Sequence, residues 1–236
     1  TNIIPNEELK HAASIMTDEQ FNQEFECSFT AAVSGAYYGK LITKADNEKR
    51  IGTVECDDNA GVETWWDLGI GDSTAIWFAQ RVGSEIHIID YYENSGESLA
   101  HYADVLLEKD YAYERHIAPH DIQARELGTG KSRLEVANEL GIDFEVAPKL
   151  EVDHGIECVR NTLPNCWFDR EKCKLGLDAL RQYRKQWDDK NQVFKNKPLH
   201  DWCSHAADAF RYGCVHDPVD TTQWTKPIKI DTTYIV

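Results

Sequence analysis

The sequence is short of several things. No apolar run approaches the roughly 18 residues that a membrane-crossing helix needs, so no membrane span is expected. No basic stretch precedes an apolar one near the start, which excludes a recognisable secretory signal. The single methionine is Met16, and the chain begins TNIIPNEE; it reads as a piece of a longer polypeptide. Basic residues are scarce, with 25 Lys and Arg against 41 Asp and Glu, a net charge of −16. That balance argues against a broad nucleic-acid footprint, although a local basic rim can survive inside an acidic total. The seven cysteines (Cys27, Cys56, Cys158, Cys166, Cys173, Cys203 and Cys214) include no CxxC pair. Free thiols in a reducing cytosol are the expected state. The spacing of His154, Cys158, Cys166 and Cys173 is too irregular for a zinc site.

With 236 residues, 42% of them hydrophobic, the chain can bury one large core. The pattern is weak in residues 1–61, where a helical, aromatic-rich stretch gives way to a polar connector over 45–61. It sharpens over 62–216. VETWWDLG reads as a strand; STAIWFAQRV and EIHIIDYYE, split by a Gly-Ser turn, read as a hairpin. SLAHYADVLLEKDY has helical periodicity, ERHIAPHD is a short strand, and KSRLEVANELG a helix closed by Gly141. FEVAP is a strand, VDHGIECVRNTLP a helix stopped by Pro164, and CKLGLDALRQYRKQW a helix with a basic tail. DDKNQVFKNKP reads as a polar loop, and residues 217–236 as an extended tail. This order implies an α/β fold: a three-strand antiparallel meander, then parallel strands on right-handed crossovers, flanked by helices.

The stretch DWCSHAADAF (201–210) raises the chemical question. On a helix it sets Asp201, His205 and Asp208 on one side, beside an apolar stripe of Trp202, Ala206, Ala209, Phe210 and Val215. Carboxylates against a core need cationic partners, metal or solvent. In crossover sheets ligands gather at the carboxyl ends of strands. Asp67 ends the first strand and Asp121 the fourth; if those strands are neighbours, Asp67, Asp121 and Asp208 form an oxygen cage suited to Mg²⁺ or Mn²⁺. Two such ions support phosphodiester hydrolysis. His205 can ligate a metal or relay a proton, and Asp201 can orient a ligand from behind or cap the helix. Each residue alone also has an ordinary role as a turn, cap or surface group; the joint placement carries the reading. GTGKS (128–132) imitates a phosphate loop, but Arg125 stands where that loop needs glycine, so nucleotide binding is rejected. Arg125, Lys131 and Arg133 make a basic lip beside Asp121 that can contact a DNA backbone, extended by Arg181, Arg184 and Lys185.

The phrases FNQEFECSFTAAVSGAYYGKLI (21–42), WDLGIGDSTAIWF (66–78), APHDIQARELGTGKSR (118–133) and HDWCSHAADAFRYG (200–213) resemble the C-terminal nuclease domain of the large terminase subunit of tailed bacteriophages. The likeness runs in order over about residues 15–215. It implies an RNase H-like fold and an endonuclease that cuts concatemeric double-stranded viral DNA during packaging in the host cytoplasm, without entering the mature virion. It carries the metal-ligand role onto Asp67, Asp121 and Asp208, with His205 accessory. It also implies an ATPase motor preceding residues 1–61, with the small terminase subunit and the portal protein as further partners. Rivals are a junction resolvase or transposase core of the same fold, a non-catalytic DNA or portal docking module, and a phosphatase acting on small substrates. The charge balance predicts weak, non-specific DNA affinity. Its logarithmic salt slope should fall well short of about −10, measurable by fluorescence anisotropy across a salt series.

Overall fold

The computed structural model describes residues 34–69, 72–125 and 130–218. The aromatic stretch at 21–33 and the tail beyond 218 lie outside the described residues. Helix α1 spans Gly39–Asn47. Strands β1 (Ile51–Gly52), β2 (Val62–Asp67), β3 (Ser73–Val82) and β4 (Glu85–Ser95) follow, then α2 (Leu99–Lys109) and β5 (Tyr113–Ala118). A 3-10 turn at His120–Gln123 leads to α3 (Arg133–Glu139), β6 (Phe144–Val146) and α4 (Val152–Thr162). The chain closes with β7 (Cys166–Asp169), α5 (Lys174–Gln182), β8 (Lys185–Asp188), β9 (Val193–Pro198) and α6 (Cys203–His216).

Seven strands form one mixed sheet in the order β1-β7-β4-β3-β2-β5-β6. β2, β3 and β4 are the expected antiparallel meander, and β5, β6, β7 and β1 join in parallel. This is the RNase H-like mixed sheet with helices on both faces. Three features differ from the sequence reading. β7 was hidden between two helices because CWFD is only four residues long. Residues 51–52, inside the polar connector, enter the sheet as β1, and Tyr38, Ile42 and Ala45 before them are buried in the core. The basic tail and polar loop after α5 are a separate two-stranded hairpin, β8–β9.

Strand alternation divides the core. Along β2, Trp65 joins the cluster on one face with Trp77, Phe168 and Phe210. Trp66 joins the other with Phe78, Ile89, Tyr102 and Ala137. Thus α1, α4, α5 and α6 cover the Trp65 face, and α2 and α3 cover the Trp66 face. By the same parity Asp67 falls on the Trp65 side, toward α6.

The seat of α6 is set by small residues meeting large rings. Trp77 donates its indole N–H to the Ala206 carbonyl at 2.8 Å. A β-carbon on Gly213 would lie 2.0 Å from the Trp65 ring, so only glycine lets the helix sit this close. Trp202 precedes the helix and is exposed, so it takes no part in the apolar stripe expected of it. Replacing Gly213 with Ala should cost about 3 kcal/mol of stability, since the displaced element is a packed helix rather than a free side chain; urea unfolding measures it.

Candidate metal centre

The carboxyl end of β2 brings three chemistry-bearing groups together. Asp67 closes the strand with its side chain mostly buried. His205, on the first turn of α6, sits between two carboxylates: Nδ1 is 3.3 Å from Asp67 Oδ2, and Nε2 is 3.1 Å from Asp72 Oδ1. With an acid at each nitrogen the ring is held as a donor on both sides, which favours the imidazolium. Hydrogen bonding to Asp67 accordingly raises the His205 pKa despite its burial. Burial drives the Asp67 carboxyl the other way from an ordinary aspartate, up to about 6, and the charge of Asp208 adds to that.

Asp208 lies one turn further along α6. Arg211 grips its Oδ1 through Nη2 at 2.9 Å and Nε at 3.3 Å, and the Tyr183 hydroxyl reaches the same oxygen at 3.5 Å. Three donors on one oxygen fix the carboxylate and leave the other to accept from elsewhere. Arg211 is itself buried, its stem crossing α4 where Gly155 makes room: a β-carbon there would be 2.6 Å from Arg211 Cδ. Burial of a guanidinium is tolerable because it is paired.

The remaining candidates are placed differently. β5 does run parallel beside β2, as the shared-ion argument requires. However, β5 ends at Ala118, and the 3-10 turn that follows drives Ile122 into the Trp66-side core. Asp121 is therefore an exposed turn residue beyond the strand end. Among the described residues no group of three or more His, Cys, Asp or Glu side chains lies close enough to hold an ion. Asp201 accepts from the Cys203 amide at 3.1 Å and pairs with Arg184 at 3.2 Å, tying down the start of α6. Arg133 donates to the Leu68 carbonyl at 3.1 Å, next to Asp67. Lys131 pairs with Glu139, and Arg125 bridges Ser132 in the backbone.

Sequence reasoning passed over Asp72, Arg211 and Tyr183. Asp72 had a signal: it closes the DLGIGD phrase and immediately precedes β3, which pairs with β2, so it lies at the same sheet edge as Asp67. Glu93 had none. It lies in register with Asp67 through Ala75, placing it in the same row on the α6 face, where it accepts from Tyr91 at 2.5 Å. The donor set expected from the sequence, Asp67, Asp208 and Asp121, is all oxygen, the chemistry of Mg²⁺ and Mn²⁺, but the described structure does not bring the three together.

No protein-family model and no curated protein matches the chain. Solved structures do. The nuclease domain of the P22 large terminase is 18% identical over 71% of this chain and 88% of that one, with a TM-score of 0.55. The large terminase nuclease from thermophilic phage G20c with bound magnesium is 16% identical over 77% and 98%, with a TM-score of 0.51. A large terminase from another thermophilic bacteriophage, in complex with ADP, is 18% identical over 73% of this chain, with a TM-score of 0.58; the chain spans only 43% of its length.

The Asp67 shift has a testable sign. Its carboxyl binds a proton more tightly folded than unfolded, so the stabilising contribution is complete below about pH 4 and is lost as pH rises through about 6. In metal-free buffer Asp67→Asn should therefore gain on the wild type between pH 4 and pH 7, by at most about 3 kcal/mol, read by urea denaturation at each pH. A constant difference across that range would show that the carboxyl is not strained. The described residues carry the fold of the large-terminase nuclease domains.

Proposed function

We propose that this chain is the C-terminal nuclease domain of a tailed-bacteriophage large terminase, a metal-dependent endonuclease that cuts concatemeric double-stranded viral DNA during packaging. The observation that carries the reading is the meeting of Asp67, at the end of the central strand, with His205 and Asp208 on α6. The shared fold supports it, as does the magnesium bound to the G20c nuclease. On this reading Asp67, Asp121 and Asp208 hold two Mg²⁺ or Mn²⁺ ions. Bound ions would supply Lewis-acid polarisation of the phosphodiester and a water of lowered pKa.

The chain's own groups have separable tasks. Arg211 and Tyr183 keep Asp208 in one orientation. His205 holds a proton between Asp67 and Asp72, from which it can protonate a leaving oxygen near neutral pH. Asp201 braces the start of α6 through Arg184. Arg125, Lys131 and Arg133 lie on the Asp121 side, where DNA phosphates would pass. An ATPase motor in the same polypeptide, the small subunit and the portal are the partners this reading entails, in the host cytoplasm; no helix among the described residues is long and apolar enough to cross a membrane.

The separation of Asp121 from the other two acids favours a second reading, a docking module whose acids are surface groups. One assay separates them. The nuclease should nick and then linearise supercoiled plasmid with Mn²⁺, and chelator should abolish it. Removing a group outside the ligand shell already costs about 10–100-fold, so Asp67→Asn, Asp121→Asn and Asp208→Asn should each cost more than about 100-fold. No chelator-sensitive cleavage by the wild type would leave the docking module; wild-type rates in all three variants would move the chemistry off these acids.

A further inference from the structure

The β8–β9 hairpin stands apart from the main sheet, yet it is rooted at the metal centre. The Lys185 amide donates to the Gly35 carbonyl at 3.0 Å and the Leu199 amide to the Arg184 carbonyl at 2.9 Å, closing its base. One residue beyond the base, His200 approaches Asp72 at 3.8 Å and packs edge-on against His205, with ring centroids 5.8 Å apart. The arm therefore projects from the end of the molecule that holds Asp67 and Asp208.

Its two faces differ. Phe194 covers Gly35, whose φ of +79° and lack of a β-carbon let the ring approach; an added β-carbon would lie 2.7 Å from it. Asn196 donates to Asp153 at 3.0 Å. These alternate residues fasten one face to the body. Half-buried Lys195, whose Nζ is 4.0 Å from Asp188 Oδ2, and exposed Lys197 lie on the opposite face, and Lys190 occupies the exposed turn. Residues 184–197 carry five basic side chains against two acidic ones, a net +3 in a chain of net −16. Trp187, the cross-strand partner of Phe194 and T-stacked on it with centroids 4.8 Å apart, shares the fastened face and keeps an exposed edge there.

We propose that the β8–β9 hairpin is a DNA-gripping arm, its Lys190, Lys195 and Lys197 lying along the phosphate backbone of duplex DNA and leading it to the metal centre. The inference rests on the nuclease reading for its substrate. Elsewhere the acidic surface repels a polyanion; the arm supplies local attraction at the edge of the site, where approach matters. A two-stranded ribbon also suits the major groove.

The test uses the full chain in chelator, so that nothing is cut, with a fluorescein-labelled 30-base-pair duplex read by anisotropy over a potassium chloride series. The triple variant Lys190→Ala, Lys195→Ala, Lys197→Ala should raise Kd about 10-fold and reduce the salt slope by about 2 to 3, close to one per lysine. Replacing the same three with Arg should restore both. The control Lys44→Ala, Lys49→Ala, two exposed lysines before the amino end of β1 and so opposite the strand end that carries Asp67, should change Kd less than about twofold, given that screening confines the effect to about 10 Å. Thermal melting verifies that these changes leave the fold intact. Unchanged binding in the arm variant, or an equal loss in the control, overturns the proposal. Plasmid nicking by the wild type with Mn²⁺ is scored in parallel. Nicking with a silent arm variant removes the arm and keeps the nuclease; weakened binding in the arm variant without wild-type nicking does the reverse.

Discussion

The structure turns on one constraint: a carboxylate at the end of a strand buried on both faces. Asp67 follows Thr64, Trp65 and Trp66, all without exposed surface, so water alone cannot solvate its charge. Such a group either gives up its charge or gathers cations. Burial raises its proton affinity, and His205 opposes that by donating to it. The imidazole in turn takes a second acid, Asp72, at its other nitrogen. A divalent ion would meet the same need more fully, which is why a strained acid here reads as chemistry rather than as a surface charge.

Delivering His205 and Asp208 to that acid is the work of α6, and α6 is placed by packing. Gly213 admits the Trp65 ring, and Trp77 bonds the Ala206 carbonyl. The helix is buried along nearly its whole length, so its polar groups have no freedom to drift. Arg211 adds a fixed buried charge that holds Asp208 and lowers the cost of a second carboxylate near Asp67. Stability and function share the same atoms: the residues that lock α6 onto the sheet also aim its acids.

Asp121 behaves differently because nothing buries it. Its position depends on a 3-10 turn whose anchor is Ile122, one residue away and directed into the opposite core. It lies beyond the end of β5, beside β2, without being clamped as Asp208 is by Arg211. The basic arm rooted beside His200 adds the electrostatic counterpart that an acidic centre lacks.

Much of this was legible in the chain. The hydrophobic runs with period two gave the meander, and the periodic stretches gave α2, α3, α4 and α6. β1, β7 and the β8–β9 hairpin were not legible, because β1 and β8–β9 lie in polar stretches such as DDKNQVFKNKP and the four residues of β7 sit directly between two helical patterns. The grip of Arg211 on Asp208 is an i, i+3 pair visible in principle, but its burial behind Gly155 is not. The sequence by itself determined which residues alternate, which segments are helical and which acids sit at segment ends, since these follow from local repeat geometry. Only the tertiary structure decided that Asp72 is the second acid on His205, that Asp121 stands apart from Asp67 and Asp208, that Asp201 is spent on Arg184, and that the basic loop is a hairpin. Those outcomes depend on which distant segments touch, and contact between distant segments is set by packing of the whole chain.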